Sequence, residues 1–414
     1  MAILLSNVSN ALTKVLLPYI QDNFTTLHPL LDQIKRDKSV QFFNNAFYAP
    51  IRTSRHGGVT NLANDGSNLV SSKASIGQAS VTPAIVTGTF DISDLVIAAT
   101  ATGKGAVERQ LTWQASTLTD DFAKDINRQY YGDGAEIIAQ VAGSVGAGTM
   151  SLKLKDSSLD DGRSIDNYGT VNGDLLPAEY IFPDMVIAVG TPGTALGTVT
   201  SVNGNTVVVT GAPAIAANNS IYKVDGSGAG AGTSGILGMR AALSSTTGTS
   251  TYAGVARSTY GWAPQLGTTA QALTLSAMEQ QYLAAKKFSK ASDRYAIFVN
   301  KTLYKKYGDI LTSMRRTVDT ADLLGGWTGL EFVAGAGKVG VFLDYDCPDG
   351  EVLIVNLDSW TVCQVRDMQW AEDPNGGALI RTRNTIQYQA TMMWFTNLIC
   401  LAPAANARLT QQTA

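Results

Sequence analysis

The sequence is poor in the residues that carry most enzymatic chemistry. It has two histidines, His28 and His56, in 414 residues. That excludes a three-histidine metal site and makes a Ser-His-Asp triad hard to assemble. His28 lies among Leu27, Pro29, Leu30 and Leu31, where packing is the simpler role, and His56 precedes Gly57-Gly58. Cysteine is also scarce. Cys347, Cys363 and Cys400 are odd in number and too widely spaced for a paired metal knuckle, so they read as reduced thiols of a cytosolic protein. Charged residues make up 16% of the chain, against about 25% in an ordinary soluble domain. A surface so thin in charge suits a subunit that covers much of its outside with neighbours. The net charge of -3 and the absence of any Lys/Arg run exclude a protein that grips nucleic acid by neutralising phosphates.

Two targeting signals are missing as well. The start, Met1 to Leu5, has no basic segment followed by a long apolar run, so no secretory leader is expected. The longest uncharged stretch, Met185 to Tyr222, contains Pro192, Pro213 and many Gly, Asn and Thr residues. Those break a helix, so no membrane span is expected there.

What remains is a set of well-marked structural segments, enough for two or three domains at about 150 residues each. Near the start, Val8, Leu12, Val15, Leu16, Tyr19 and Ile20 fall at helical spacing with Pro18 interrupting them. Either a core-packed helix or an arm that binds a neighbour fits this pattern. Tyr48 to Thr53 and Val81 to Ile97 are strand-like, and the Gly, Ser and Asn-rich stretch from Gly57 to Ser80 separates them. Two strands around a polar tip describe an extended hairpin, which cannot bury a core by itself.

From Gly105 to Tyr131 the apolar residues Val107, Leu111, Ala115, Leu118, Phe122, Ile126 and Tyr130 predict one long amphipathic helix, with Gly132 as a left-handed cap. Five short β-rich runs between 148 and 226, with Asn203-Gly204 as a tight-turn signal, predict a small all-β module. Its place between a long helix and a later mixed region suggests an insertion. Beyond the Gly-rich joint, Ser276 and Glu279 read as a capping box. Tyr295 to Val299 reads as a strand, Lys301 to Arg316 as a helix, and Glu331 to Ala334, Lys338 to Leu343 and Val352 to Asn356 as strands. This alternation indicates an α+β fold. Trp360 to Leu401 is strand-like, and the last dozen residues read as a tail.

No catalytic constellation emerges. Gly335, Gly337 and Gly340 have dinucleotide-fingerprint spacing, but Val341-Phe342-Leu343 is a strand where that motif requires a helix. Lys104 between two glycines lacks phosphate-loop spacing. Asp120-Asp121 and Asp160-Asp161 are adjacent acids, a poor geometry for a general acid and base on a helix. No catalytic residue, cofactor or metal is therefore expected.

The order of elements, together with Leu12-Thr13-Lys14-Val15, the stretch from Asp125 to Gly134 and Tyr252-Ala253-Gly254-Val255-Ala256-Arg257-Ser258, resembles the major capsid protein of tailed bacteriophages, the Hong Kong 97-type shell fold. The resemblance covers essentially the whole chain. It implies an N-terminal arm at 1–45, an extended loop at 46–97 and a peripheral domain with a spine helix at 98–147. An inserted β module follows at 148–226, then a mainly axial domain at 227–355, and a β-rich return to the peripheral domain with a C-terminal tail at 356–414.

As function it implies a subunit that self-assembles into pentamers and hexamers of an icosahedral head around double-stranded DNA, without sequence-specific DNA binding. The expected partners are further copies, a separate scaffolding protein, a portal and a possible decoration protein, with no membrane. The expected location is the virion, after assembly in the host cytoplasm. Arg52 and Arg55 on the loop are candidates to meet Asp120, Asp121 or Asp125 on a neighbour's spine helix. Lys73 is the loop lysine available for the intersubunit Lys-Asn bonds found in some family members. An encapsulin-type compartment shell is the nearer alternative. A carbohydrate-binding or hydrolytic protein using Trp262, Trp327 or Trp370 is the more distant one.

Overall fold

The computed structural model describes residues 30, 33–37, 40–59, 61, 71–93, 104–134, 136–141, 146, 148–155, 181–189, 196–203, 206–212, 214–216, 219–224, 235–244, 250–269, 271–313, 320–322, 328–334, 337–348, 350–372, 379–381, 387–410 and 412–413. The expected N-terminal helix, the acidic pair Asp160-Asp161, His28 and Trp327 lie outside these.

A long helix, α1 (Lys104–Tyr131), lies against a five-stranded sheet. In that sheet Trp360–Trp370 and Gln387–Cys400 pair antiparallel, and Ala84–Ser93 and Leu379–Arg381 both pair with Gln387–Cys400. The helix buries Ala115, Phe122, Ala123, Ile126 and Tyr130, and these join Trp360, Trp370, Met392, Trp394 and Leu398 in one core. The stripe repeats every three or four residues because 3.6 residues complete a turn.

The same core continues onto one face of a seven-stranded mixed sheet. Its order is Gln265–Gly267, Ala407–Leu409, Val352–Asn356, Tyr295–Val299, Gly337–Leu343, Thr328–Ala334 and Thr320–Asp322. Alternate residues of its central strands point to opposite faces. Ala296, Phe298, Leu353 and Val355 therefore enter the first core. Ile297, Val299, Val352 and Ile354 enter a second. Helices α3 (Leu275–Lys286) and α4 (Lys301–Ser313) cover that second face with Met278, Tyr282, Leu303 and Tyr307. Between α1 and these helices lies the short α2 (Met239–Ala242).

A closed six-stranded barrel interrupts the chain after α1. Its strands are Ile137–Val141, Gly148–Lys155, Val186–Val189, Leu196–Asn203, Thr206–Ala212 and Ser220–Lys223. Inside lie Ile138, Val141, Ile187, Val199, Val207, Val209, Ile215 and Ile221, a core of its own. Closure pairs every stave on both sides, so the barrel leaves no open edge.

The two ends of this excursion meet. A Cβ added to Gly134 would lie 3.7 Å from the carbonyl oxygens of Gly235 and Ile236. The last turn of α1 holds both ends. Arg128 Nη2 donates to Glu136 Oε2 at 2.9 Å, and the Ile236 amide donates to Gln129 Oε1 at 3.2 Å. Gly238 packs on the same turn, so close that a Cβ there would collide with the carbonyl oxygens of Gln129, Tyr130 and Gly132.

Several sequence expectations change here. The hairpin strands are Ala46–Arg52 and Ile76–Val81, with Phe47 opposite Val81 and Arg52 opposite Ile76. Its second limb therefore comes from the end of the polar stretch. Pro83 separates this limb from Ala84–Ser93, which joins the main sheet instead. Gly132 is not left-handed; it closes on Gln129 O at 3.0 Å, and the positive φ, +89°, belongs to Gly134.

The N-cap of α3 is Thr274, whose side chain accepts from the Ala277 amide, so Ser276 sits inside the helix. Barrel pairing starts at Ile137, ahead of the boundary drawn at 148. The C-terminal segment is not a tail. Ala407–Leu409 is an interior strand between Gln265–Gly267 and Val352–Asn356, and Gln412–Thr413 pairs with Gln271–Ala272. Its apolar residues are mostly alanines, too small to write a clear periodicity, and Asn406 and Arg408 anchor it through polar contacts as well.

Candidate intersubunit surfaces

The hairpin presents an exposed basic limb. Arg52 is exposed, and its Nε donates to Ser54 O at 2.9 Å. Arg55 is exposed and lies over the Tyr260 ring at 5.9 Å. Lys73 is exposed on the return limb. Apolar side chains accompany these cations: Val59 is 89% exposed and Ile76 is 80% exposed. At the root, Ser80 N donates to Ala253 O at 2.9 Å, which fixes where the limb leaves the body.

A second apolar pair lies just before this limb. Asn44 and Asn45 both have positive φ, the backbone of a two-residue hairpin turn, and Phe43 pairs across it with Ala46. Phe42 rests on Phe47 at 5.3 Å between ring centroids, while Phe43 is 74% exposed.

The acidic candidates on α1 divide by position. Asp120 and Asp121 are exposed on the outer face. Partial burial, and then the adjacent Asp121, raise the Asp120 carboxyl above its ordinary range. Asp125 faces inward along the helix, where it accepts from Arg128 at 3.1 Å and from Gln129 Nε2 at 2.9 Å. Among the described residues, neither Arg52 nor Arg55 pairs with these aspartates of its own chain.

The other chemical candidates fall into structural roles. His56 is exposed, and its Nδ1 accepts from the Gly58 amide at 3.1 Å. Gly337, with φ +136°, begins a strand that pairs back on Thr328–Ala334, so the glycine spacing belongs to a β-hairpin. All three cysteines are buried thiols outside any disulfide. Trp262 and Trp370 are each 2% exposed and offer no stacking platform for a sugar. Among the described residues no group of three His, Cys, Asp or Glu side chains could hold a metal ion. No described helix is long and apolar enough to cross a membrane.

One titratable cluster has no counterpart in the sequence expectations. Asp344 is buried under α1 and accepts from Tyr131 Oη at 2.8 Å and Asn127 Nδ2 at 3.1 Å. Its only sequence signal is the spacing Asp344-Tyr345-Asp346 directly after an apolar strand, which is indistinguishable from a solvated turn.

These elements together define a capsid-shell fold: a long helix over a sheet, a hairpin whose strands bury Phe47, Ala49, Ile51, Ala79 and Val81 in the same core, and a mixed sheet covered by two helices. The solved structure of the Cyanophage A-1(L) capsid asymmetric unit matches over 93% of this chain and 93% of that chain, with TM-score 0.54 and 14% identity. The chain thus has the Hong Kong 97-type capsid fold, α+β in class. A native GTA particle capsid aligns over 92% of this chain and 90% of that one, at TM-score 0.44 and 10% identity. The SrpI encapsulin from Synechococcus elongatus PCC 7942 aligns over 36% of this chain and 53% of that one, at TM-score 0.29 and 12% identity. No protein-family profile matches the sequence, and no curated protein does.

Proposed function

We propose that this chain is a tailed-phage major capsid protein, the structural subunit of an icosahedral head that forms pentamers and hexamers around double-stranded DNA. The observation that carries this reading is the fold match, over 93% of this chain and 93% of the other, to the structure of a cyanophage capsid asymmetric unit. The surface chemistry supports it. Arg52, Arg55 and Lys73 are exposed on the hairpin beside Val59 and Ile76, and two exposed carboxylates stand on α1, so opposite charges are available to fix register between copies. Many weak contacts of this kind add up to a stable shell while each remains correctable.

In this reading the hairpin of Ala46–Arg52 and Ile76–Val81 is the extended loop, α1 with the five-stranded sheet is the peripheral domain, the seven-stranded sheet with α3 and α4 is the axial domain, and the barrel from Ile137 is an insertion. Arg52 and Arg55 meet Asp120 and Asp121 of a neighbouring copy. The protein is structural and not an enzyme. It resides in the virion after assembly in the host cytoplasm, with a separate scaffolding protein, a portal and a possible decoration protein as partners.

Electron microscopy of the protein produced with its neighbouring genes tests the proposal. Closed icosahedral particles filled with DNA are the expected result. Soluble monomers under all conditions would overturn it, and particles enclosing an enzyme would establish the encapsulin alternative instead.

A further inference from the structure

One short segment holds the basic hairpin at two separated points. Thr251 pairs with Ala256 and Tyr252 with Val255, which leaves Ala253 and Gly254 as a two-residue turn. Both have positive φ, +50° and +75°, the backbone that the tightest hairpin turns require. Ala253 adopts it despite its Cβ, at a steric cost. Its methyl group is buried, in the same core as Phe47, Ala49, Ala79 and Val81 of the hairpin. Strain of this kind persists where the surrounding structure holds it in place.

The turn grips the root of the limb. Ser80 N donates to Ala253 O at 2.9 Å, and a Cβ added to Gly254 would lie 3.2 Å from Ser80 Oγ. Further out, the Arg55 guanidinium lies over the Tyr260 ring at 5.9 Å. Ser80 stands opposite Tyr48, and from Tyr48 the strand runs on to Arg52 for about 13 Å before Arg55 is reached. Two contacts that far apart define a direction, where one would leave a pivot.

The segment is itself anchored in the body. Tyr252 Oη accepts from the Cys400 amide at 3.0 Å, and Trp262 Nε1 donates to Tyr252 O at 3.1 Å. The buried Arg257 lies over the Tyr252 ring at 5.0 Å and donates to Ala241 O at 2.8 Å and to Trp262 O at 3.3 Å. These bonds fix the segment to the five-stranded sheet and to α2.

We propose that residues 251–260 form a seat that sets the angle of the hairpin in the lone chain, Ala253 holding its root and Tyr260 its outer end. The limb is then oriented before any partner arrives, so a partner that meets Arg52 or Lys73 orders less of it on binding. The inference concerns the chain itself and stands whether or not copies of it build a shell.

A distance measurement on the full-length unassembled chain tests this. Nitroxides are attached at Ile76→Cys on the limb and Val333→Cys on the seven-stranded sheet; both positions are exposed, and the three native cysteines are buried. Pulsed dipolar electron paramagnetic resonance should give one narrow distance distribution. Ser80→Pro removes the amide that reaches Ala253 and keeps the pairing with Ala46–Arg52, because that amide points away from it. The distribution should then broaden or shift. Tyr260→Ala removes the outer contact at an exposed site and should broaden it to a smaller extent. A broad distribution in the chain carrying the labels alone would overturn the proposal, as would an unaltered distribution in Ser80→Pro. Should Ser80→Pro fail to fold, the labelled chain and Tyr260→Ala decide, an unaltered distribution in Tyr260→Ala counting against the seat.

Discussion

Arg408 closes on Glu351, 57 residues earlier in the chain: Nε donates to Oε2 at 2.9 Å, with both side chains buried. Arg240, next to the start of α2, reaches the same carboxylate at 3.3 Å. One buried acid thus ties the C-terminal strand to the sheet and to the segment that follows the barrel. Removing Arg408 takes its charge-assisted hydrogen bonds from a carboxylate in a dry interior and leaves that acid to Arg240, which costs more than losing an exposed pair would.

Replacing Arg408 with Met should therefore destabilise the chain by about 1.5–3 kcal/mol. Denaturant midpoints measure this, and a loss below ~1 kcal/mol would contradict the role given to the pair.

The packing of Gly238 on the end of α1 leaves no room for a methyl group, because the atoms it would meet are backbone carbonyls that cannot swing away. Gly238→Ala should cost about 1–3 kcal/mol. The loss should appear as faster hydrogen exchange in the last turn of α1 and in α2. An unchanged exchange pattern would mean that the backbone yields there.

The barrel has its own core, and its two ends leave the body side by side. Replacing residues 136–234 with a short Gly-Ser linker should leave the two-sheet body folded, with a cooperative thermal transition retained. Collapse of that body would show that the barrel supports it.

Exposed charge on the hairpin contributes little to the stability of a single chain, so Arg52→Glu with Arg55→Glu should change folding stability by less than ~0.5 kcal/mol. Assembly should nevertheless fail, as counted in electron micrographs. Reversing Asp120 and Asp121 to Arg in the same chain should restore particles if these charges meet across the interface. Normal particles from the double Arg variant would remove both arginines from that role.

Much of the architecture was readable before the structure, because long regular elements write their burial into the chain. The stripe from Ala115 to Tyr130 identifies α1, and the runs Tyr295–Val299 and Val352–Asn356 identify strands buried on both faces. The barrel's short β runs were visible for the same reason. The second hairpin limb, Ile-Gly-Gln-Ala-Ser-Val, was not, since its pattern is set by the strand it pairs with and not by its own propensity.

By itself, the sequence determined the helix and strand periods, the scarcity of catalytic side chains and the breakpoints at proline and glycine, since these depend on neighbours a few residues apart. Only the tertiary structure decided that the last residues form an interior strand, that Gln129 takes the Ile236 amide at the far end of the barrel, and that Asp344 sits beside Asn127 and Tyr131. Those outcomes join residues up to hundreds of positions apart. The energy of such contacts comes from burial and charge in three dimensions, which no local pattern records.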